Sequence, residues 1–172
     1  AASANKTVGE SDPALTYTAN PSALITGNSF SGNLRRAKGE DARTYAINKG
    51  TLSAGNNYAI TFVSANFTIK KGSQSITFPE ISGKTYGDEP FNLNATSDSG
   101  LPVSYSSSNT SVATVTPAGV VTIKSNGVAT ITASQAGNGN YNAATSALAT
   151  LTVGKKALTV SGAAVTPKVY DG

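Results

Sequence analysis

Between residues 107 and 134, apolar positions recur in short runs: Val112 and Val115, then Val121 and Ile123, then Ala129 and Ile131. Thr and Val fill these runs, as expected of a pleated strand with one buried face. Pro117-Ala118-Gly119 and Ser125-Asn126-Gly127 separate them, supplying the fixed φ and the positive φ that tight turns need. The pattern predicts a three-strand antiparallel meander. Elsewhere, strands are predicted at residues 14–18, 43–47, 57–62, 66–70, 75–78, 101–105 and 147–153. Residues 21–25 read as a single helical turn, with Asn20 as cap and Pro21 in first position. No segment holds apolar residues at i, i+3, i+4, i+7 beyond one or two turns, so the predicted fold class is mainly β.

A longer-range pattern divides the chain. Lys6-Thr7-Val8-Gly9-Glu10-Ser11-Asp12-Pro13 recurs as Lys84-Thr85-Tyr86-Gly87-Asp88-Glu89-Pro90. It recurs again, cut short, as Lys168-Val169-Tyr170-Asp171-Gly172. The spacings are 78 residues (6 to 84) and 84 residues (84 to 168). A period near 80 is too long for a solenoid coil and suits a string of small β-domains. The expected bounds are 1–71, 73–155, and a truncated third unit at 156–172. Lys71-Gly72-Ser73 is a linker of minimal length, which predicts two domains held end to end in a stiff rod.

Three stretches carry family resemblances. The Ser/Asn-rich lead, S-V-A-T-V, a turn, G-V-V-T, a second turn and G-V-A-T-I-T-A resemble the bacterial immunoglobulin-like group 2 domain over roughly residues 74–153. In the first unit, K-T-x-G-x-x-D-P-A-L-T-Y, N-S-F-S-G-x-L-x-R, T-Y-A-I and G-T-L-S-A-G-N-N-Y-A-I-T-F resemble the MBG (YGX-type) domain. Val8 stands where that family usually has Tyr. Residues 157–172 look like the opening of a YDG-type repeat. The resemblances imply a β-grasp-like first unit, an immunoglobulin-like β-sandwich second unit, and a non-catalytic repeat region of a bacterial cell-surface or secreted adhesin. They imply an extracellular location and partners that are neighbouring copies, adjacent repeats, or a host or matrix surface.

Composition narrows the chemistry. The 172 residues include no His, Cys, Met or Trp. Disulfides, thiolate sites, His-based zinc sites and a Ser-His-Asp triad are therefore excluded, and packing alone must stabilise the framework. Charged residues are 13% of the chain and the net charge is +4, with cations scattered as Arg35-Arg36, Lys70-Lys71 and Lys155-Lys156. That is no nucleic-acid footprint, which needs a basic stripe interleaved with aromatics. No apolar run approaches about 18 residues, so no span of a membrane is expected. The first residues lack a signal-peptide pattern, and the chain reads as a fragment of a longer exported protein.

Nine carboxylates are the only acid/base candidates, and no pair is placed to hold one protonated beside one charged. Asp12 and Asp88, in the repeated turn, are expected to accept backbone N–H bonds. No cofactor is expected. Calcium is the one metal weighed, at the junction residues Asp88, Glu89 and Asp171, against a low carboxylate density. An internal Lys–Asn amide would need a buried Lys, whereas Lys84 and Lys124 read as exposed. Tyr45, Tyr58, Phe62, Phe67 and Phe78 fall on inward positions or strand ends; Tyr86, Tyr105 and Tyr141 are the candidates for a carbohydrate- or protein-binding surface, the alternative to a spacer.

The ends of the chain give one further expectation. In the family resembled by the first unit, a unit opens with a strand like Ala157-Leu158-Thr159-Val160-Ser161 before its K-x-Y-G turn. Aligning Lys168 with Lys6 sets Ala163 opposite Ala1, so the first unit is expected to lack that strand and to expose an apolar groove. Ala157, Leu158, Thr159 and Val160, with Val165 following, are expected to add as a strand to the first unit of a neighbouring molecule, head to tail. Leu158 and Val160 would fill the groove and Thr159 would face water.

Overall fold

The computed structural model describes residues 1–22, 24–162 and 170. Among them the chain forms thirteen strands and no helix, as the turn-rich, period-2 sequence predicts. Contacts divide it into two compact units. The first comprises Ala1–Ile76, Thr96–Pro102 and Gln135–Thr145; the second comprises Thr77–Ala95, Val103–Ser134 and Ser146–Gly172. These bounds differ from 1–71, 73–155 and 156–172. The stretch read as a linker is bound into the first unit: Gly72 N donates to Asn140 O (2.9 Å) and Lys71 Nζ to Asn138 O (2.7 Å). The buried Gln74 donates to Gln135 Oε1 and to Asn142 O, both at 2.6 Å, and its own Oε1 accepts from Ser97 and Ser99. A short polar linker sequence thus found backbone and amide partners that spacing could not reveal.

In the first unit, β1 (Ala4–Thr7), β2 (Arg35–Arg36), β3 (Thr44–Asn48) and β4 (Ala65–Lys70) form one sheet in the order β1-β4-β3-β2. β1 runs parallel to β4; the other pairs are antiparallel. Alternation along β3 and β4 sends Tyr45, Ile47, Phe67 and Ile69 to one face, where they form the core. Full burial of each such side chain stabilises by about 1.5–3 kcal/mol.

Two predicted strands of this unit are not strands. Residues 14–18 and 57–62 join no sheet. They keep the alternation, with Leu15, Tyr17 and Ala19, and Tyr58, Ile60 and Phe62, half-buried between exposed neighbours. A period of 2 reports which side is covered and is silent on whether the backbone has a partner. The helical turn expected at 21–25 is also absent among the described residues, Ala23 lying outside them; five residues do not repay helix nucleation.

Past this sheet, β5 (Ile76–Thr77) pairs with β8 (Thr96–Ser97). The second unit is a sandwich. One sheet is β10 (Ala113–Val115), β11 (Val120–Ile123) and β7 (Phe91–Asn92), in that order. The other is β6 (Lys84–Thr85), β13 (Ala147–Gly154), β12 (Gly127–Ser134) and β9 (Ser104–Ser107). Val112, Ala113, Val121, Ala129, Ile131, Leu151 and Val153 fill the space between them. The predicted meander holds only in part. β10 and β11 do pair, but β12 crosses to the opposite sheet and pairs with β13 and β9. Lys124 N and Ser125 N both donate to Val112 O, which turns the chain over the core edge instead of back along β11.

The repeated motif is the same device in both units. Lys6 and Thr7 stand opposite Ile69 and Lys70 of the closing strand, and Lys84 and Thr85 stand opposite Val153 and Gly154 of theirs, parallel in each case. Val8 N donates to Lys70 O (3.0 Å) as Tyr86 N donates to Gly154 O (2.9 Å). Thr7 N is capped by Glu10 Oε2 (2.6 Å) and Thr85 N by Asp88 Oδ2 (2.9 Å). Gly9 and Gly87 take φ of 85° and 92°, a conformation that favours glycine.

Candidate functional site

The densest polar cluster lies in the first unit. Alternation along β1 turns Lys6 inward, beneath the loop that follows the Gly9 turn, and leaves it 7% exposed. Its ammonium meets Asp12 Oδ1 at 2.8 Å and Glu40 Oε2 at 2.5 Å. Arg36, on β2, donates from Nε to Asp12 Oδ2 (2.6 Å) and from Nη2 to Asp12 Oδ1 (3.1 Å) and to Glu40. Its Nη1 reaches Ala37 O and Gly39 O. The guanidinium lies 5.0 Å from the Phe67 ring centre and 5.3 Å from that of Tyr45, so it is seated on the core.

Two cations and two carboxylates neutralise one another, and each is held in its charged form. Arg36, and after it Lys6, holds the Asp12 carboxyl down at about 2. Lys6, then Arg36, lowers Glu40; Asp12, then Glu40, raises Lys6. General acid–base work needs one partner protonated near neutral pH, and here neither carboxylate is. A Lys–carboxyl amide needs a neutral amine and a protonated carboxyl, and both shifts run the other way. The cluster can therefore lock the opening loop to β2. The sequence pattern makes Asp12 a turn acceptor, a role that Glu10 fills instead. It marks Lys6 only as part of a repeat, since the partners of that lysine stand 6 and 34 residues away.

A second feature of this unit is a groove of about 310 Å³. Leu52 and Ala54, both buried, and the edge-to-face pair Tyr17–Phe30 (centroids 5.7 Å apart) line it. Its rims are 17–21 and 58–63, neither of which belongs to a strand. Among the described residues, no backbone hydrogen bond is made by residues 17–19 or 59–62. At its end the Ala1 ammonium donates to Val63 O (2.9 Å) and Ala2 N to Thr16 O (2.9 Å).

The other candidates separate. Tyr105 packs on the second unit's core, edge-to-face with Phe78, and its hydroxyl accepts from Ala95 N at 2.9 Å; the ligand-facing position expected for it is a packing position. Tyr141 is half-buried in the first unit, its backbone bridged to Gly72 and its ring against that glycine. Tyr86 is 49% exposed in the second unit, beside Asn126, Lys155, Lys156, Ala157 and Leu158. Asp88 is spent on its own turn and Glu89 is exposed, while Asp171 and Val165 lie outside the described residues. Among the described residues no three His, Cys, Asp or Glu side chains converge as metal ligands. Lys84, read as exposed, is half-buried with Nζ 4.5 Å from the Phe91 ring centre. Ala157, Leu158, Thr159 and Val160 belong to no strand and are all exposed, Leu158 to 89% and Val160 to 83%.

Fold and polar clusters together define a chain of small β-modules whose charged groups are used to hold structure. Comparison with known families names the modules. Residues 1–68 match the MBG domain (YGX type), and residues 92–137 match the intimin immunoglobulin-like domain. The chain thus carries an MBG domain followed by an intimin-type immunoglobulin-like domain. Neither match extends to the YDG-like residues 156–172. Both are non-enzymatic, adhesin-type domains typical of bacterial surface proteins. No curated protein matches the chain. No helix among the described residues is long and apolar enough to cross a membrane.

Proposed function

We propose that this chain is a non-catalytic segment of a bacterial surface adhesin that acts as a stiff extracellular spacer, its copies or neighbouring repeats joining head to tail by strand addition. The observation that carries the reading is the repeated parallel clasp: each unit pairs its Lys-Thr opening with its own closing strand in the same register and the same capped turn. A spacer needs units that close on themselves and can be strung in series, and that clasp supplies closure in two different β-folds. The carbohydrate- or host-protein-binding alternative loses its supporting cluster, with Tyr105 and Tyr141 engaged in packing. The test is small-angle scattering on the full chain at low concentration. One narrow, elongated distance distribution is expected, and a broad distribution overturns the spacer reading.

A further inference from the structure

A cleft of about 780 Å³ runs along the outer side of β2, between residues 12–17 and residues 32–40, both walls belonging to the first unit. β2 is the outermost strand of its sheet and pairs with β3 alone. The register shows where its remaining backbone groups point. Arg35 stands opposite Asn48 and Arg36 opposite Ile47, and Ala37 N donates to Ala46 O (2.9 Å), the next pair along. Antiparallel ladders alternate bonded with non-bonded pairs, so Arg35 and Ala37 bond toward β3 and the N–H and C=O of Arg36 face the cleft. The backbones of Leu34 and Lys38 continue that alternation and make no hydrogen bond among the described residues. Those of Ala14 and Leu15, on the facing wall, make none either. Leu15, Leu34 and Ala37 line the cleft and pack on the core beneath it.

Charge selects what can lie there. Lys6 and Arg36 answer Asp12 and Glu40, so that quartet is neutral as a whole. Asp12 and Glu40 are the only carboxylates on the walls. Arg35 and Lys38 also line the cleft, are exposed, and make no ion pair among the described residues. An edge carrying such cations repels a second edge of the same kind, which disfavours β2 of another copy as the occupant. It suits a strand that brings carboxylates. We propose that the β2 edge binds an extended acidic segment of another protein, which adds to the four-stranded sheet as a fifth strand. Main-chain bonds to Arg36 and its neighbours supply affinity, and Arg35 and Lys38 supply the preference for acid. Alternation sets the pattern of the guest. Arg36 lies over Phe67 and Arg35 on the opposite, solvent face, so apolar residues of the guest turn toward Leu15 and Leu34 while its carboxylates turn toward Arg35. This binding site goes beyond the spacer reading, and neither depends on the other.

The experiment titrates the full chain into a fluorescent probe peptide, T-V-E-V-E-V-E-T, and follows anisotropy at low and high salt. A lysine probe, T-V-K-V-K-V-K-T, tests the sign of the charge. A proline probe, T-V-E-P-E-P-E-T, keeps the charge and removes the ladder donors. The acidic probe alone is expected to bind the native chain, more weakly as salt rises. It should slow amide exchange at Arg36 and leave exchange in β12 and β13 unchanged. The Arg35→Glu/Lys38→Glu double variant should weaken the acidic probe by about tenfold or more and gain affinity for the lysine probe. Both positions are exposed and outside the ion-pair quartet, so exchange in β3 and β4 should match the native chain. The proposal is overturned if the acidic probe does not bind, if binding is indifferent to the double variant, or if the proline probe binds as well, since charge alone would then suffice. Dextran sulfate slowing exchange at Arg36 as much as the probe does would assign the edge to an anionic polysaccharide and overturns it too. Scattering of the full chain without probe tests the spacer reading separately.

Discussion

Replacing Asp12 with asparagine isolates the charge at the centre of the ion-pair cluster while nearly preserving shape. The Asp12 carboxyl falls from 3.8 to about 2 in the folded chain, chiefly through Arg36 and then Lys6. At about 1.36 kcal/mol per pKa unit, that caps its coupling at roughly 2.5 kcal/mol. Asp12 is 41% exposed, so solvent screening brings the expected loss down to about 1 kcal/mol. Sign and pH window follow from linkage. Because the folded value lies below the unfolded one, the stabilisation is complete above roughly pH 5 and drains away as pH falls through about 2. Urea unfolding of the native chain and the Asp12→Asn variant at pH 7, 4 and 2, followed by amide exchange in β1 and β4, measures it. The gap should be about 1 kcal/mol at pH 7, narrow in high salt, and be nearly closed at the acid end. An equal gap at pH 2 and pH 7 would show that the substitution disturbs the loop sterically and that charge is not the cause. No gap at pH 7 would mean that desolvating Lys6 and Arg36 cancels the attraction.

Two further outcomes follow from local geometry. Gly39 has φ of 136° and lies under Tyr45, whose Cε1 would sit 2.5 Å from an added Cβ, so Gly39→Ala should cost more than the roughly 1 kcal/mol of a backbone preference alone; a loss within that figure in urea unfolding would refute the contact. Tyr105→Phe removes the acceptor of Ala95 N in a half-buried site and should destabilise the second unit by about 1 kcal/mol, read by exchange in β12, whereas an unchanged unit would free that hydroxyl for another role.

What the sequence disclosed, and what it hid, follows from the range over which each interaction acts. Strand content, the buried alternation of β3 and β4 and the identity of both modules were legible, because side-chain period and turn residues are local signals. Pairing was not. Val121 and Ala129 have the same pattern whether β11 and β12 are neighbours in one sheet or face each other across a sandwich, and only the core between them decides. The same limit explains residues 57–62, whose alternation reads as that of a paired strand. Lys6 was hidden for another reason: a lysine at an inward position of a short strand reads as an exposed edge charge until Asp12, Arg36 and Glu40 are brought around it. The groove's walls, Tyr17 and Phe30 among them, required the fold.

The two Lys-Thr clasps separate what the repeat shares in structure from what it leaves free. Backbone geometry is common down to the capped turn, yet the lysines go to different places: Lys6 into the ion-pair cluster and Lys84 over the face of Phe91. The motif is therefore a backbone device, and each core uses the cation in its own way. Its mechanical sense lies in direction. When opening and closing strands run parallel, a pull on the start of one and the end of the other draws the strands past each other, so the rungs between them are loaded together. An antiparallel pair joined at its open end would instead be peeled one rung at a time. The first unit has four register pairs in this position, Ala4–Phe67 through Thr7–Lys70, and the second has two, Lys84–Val153 and Thr85–Gly154. In a tether the second clasp is the weaker element.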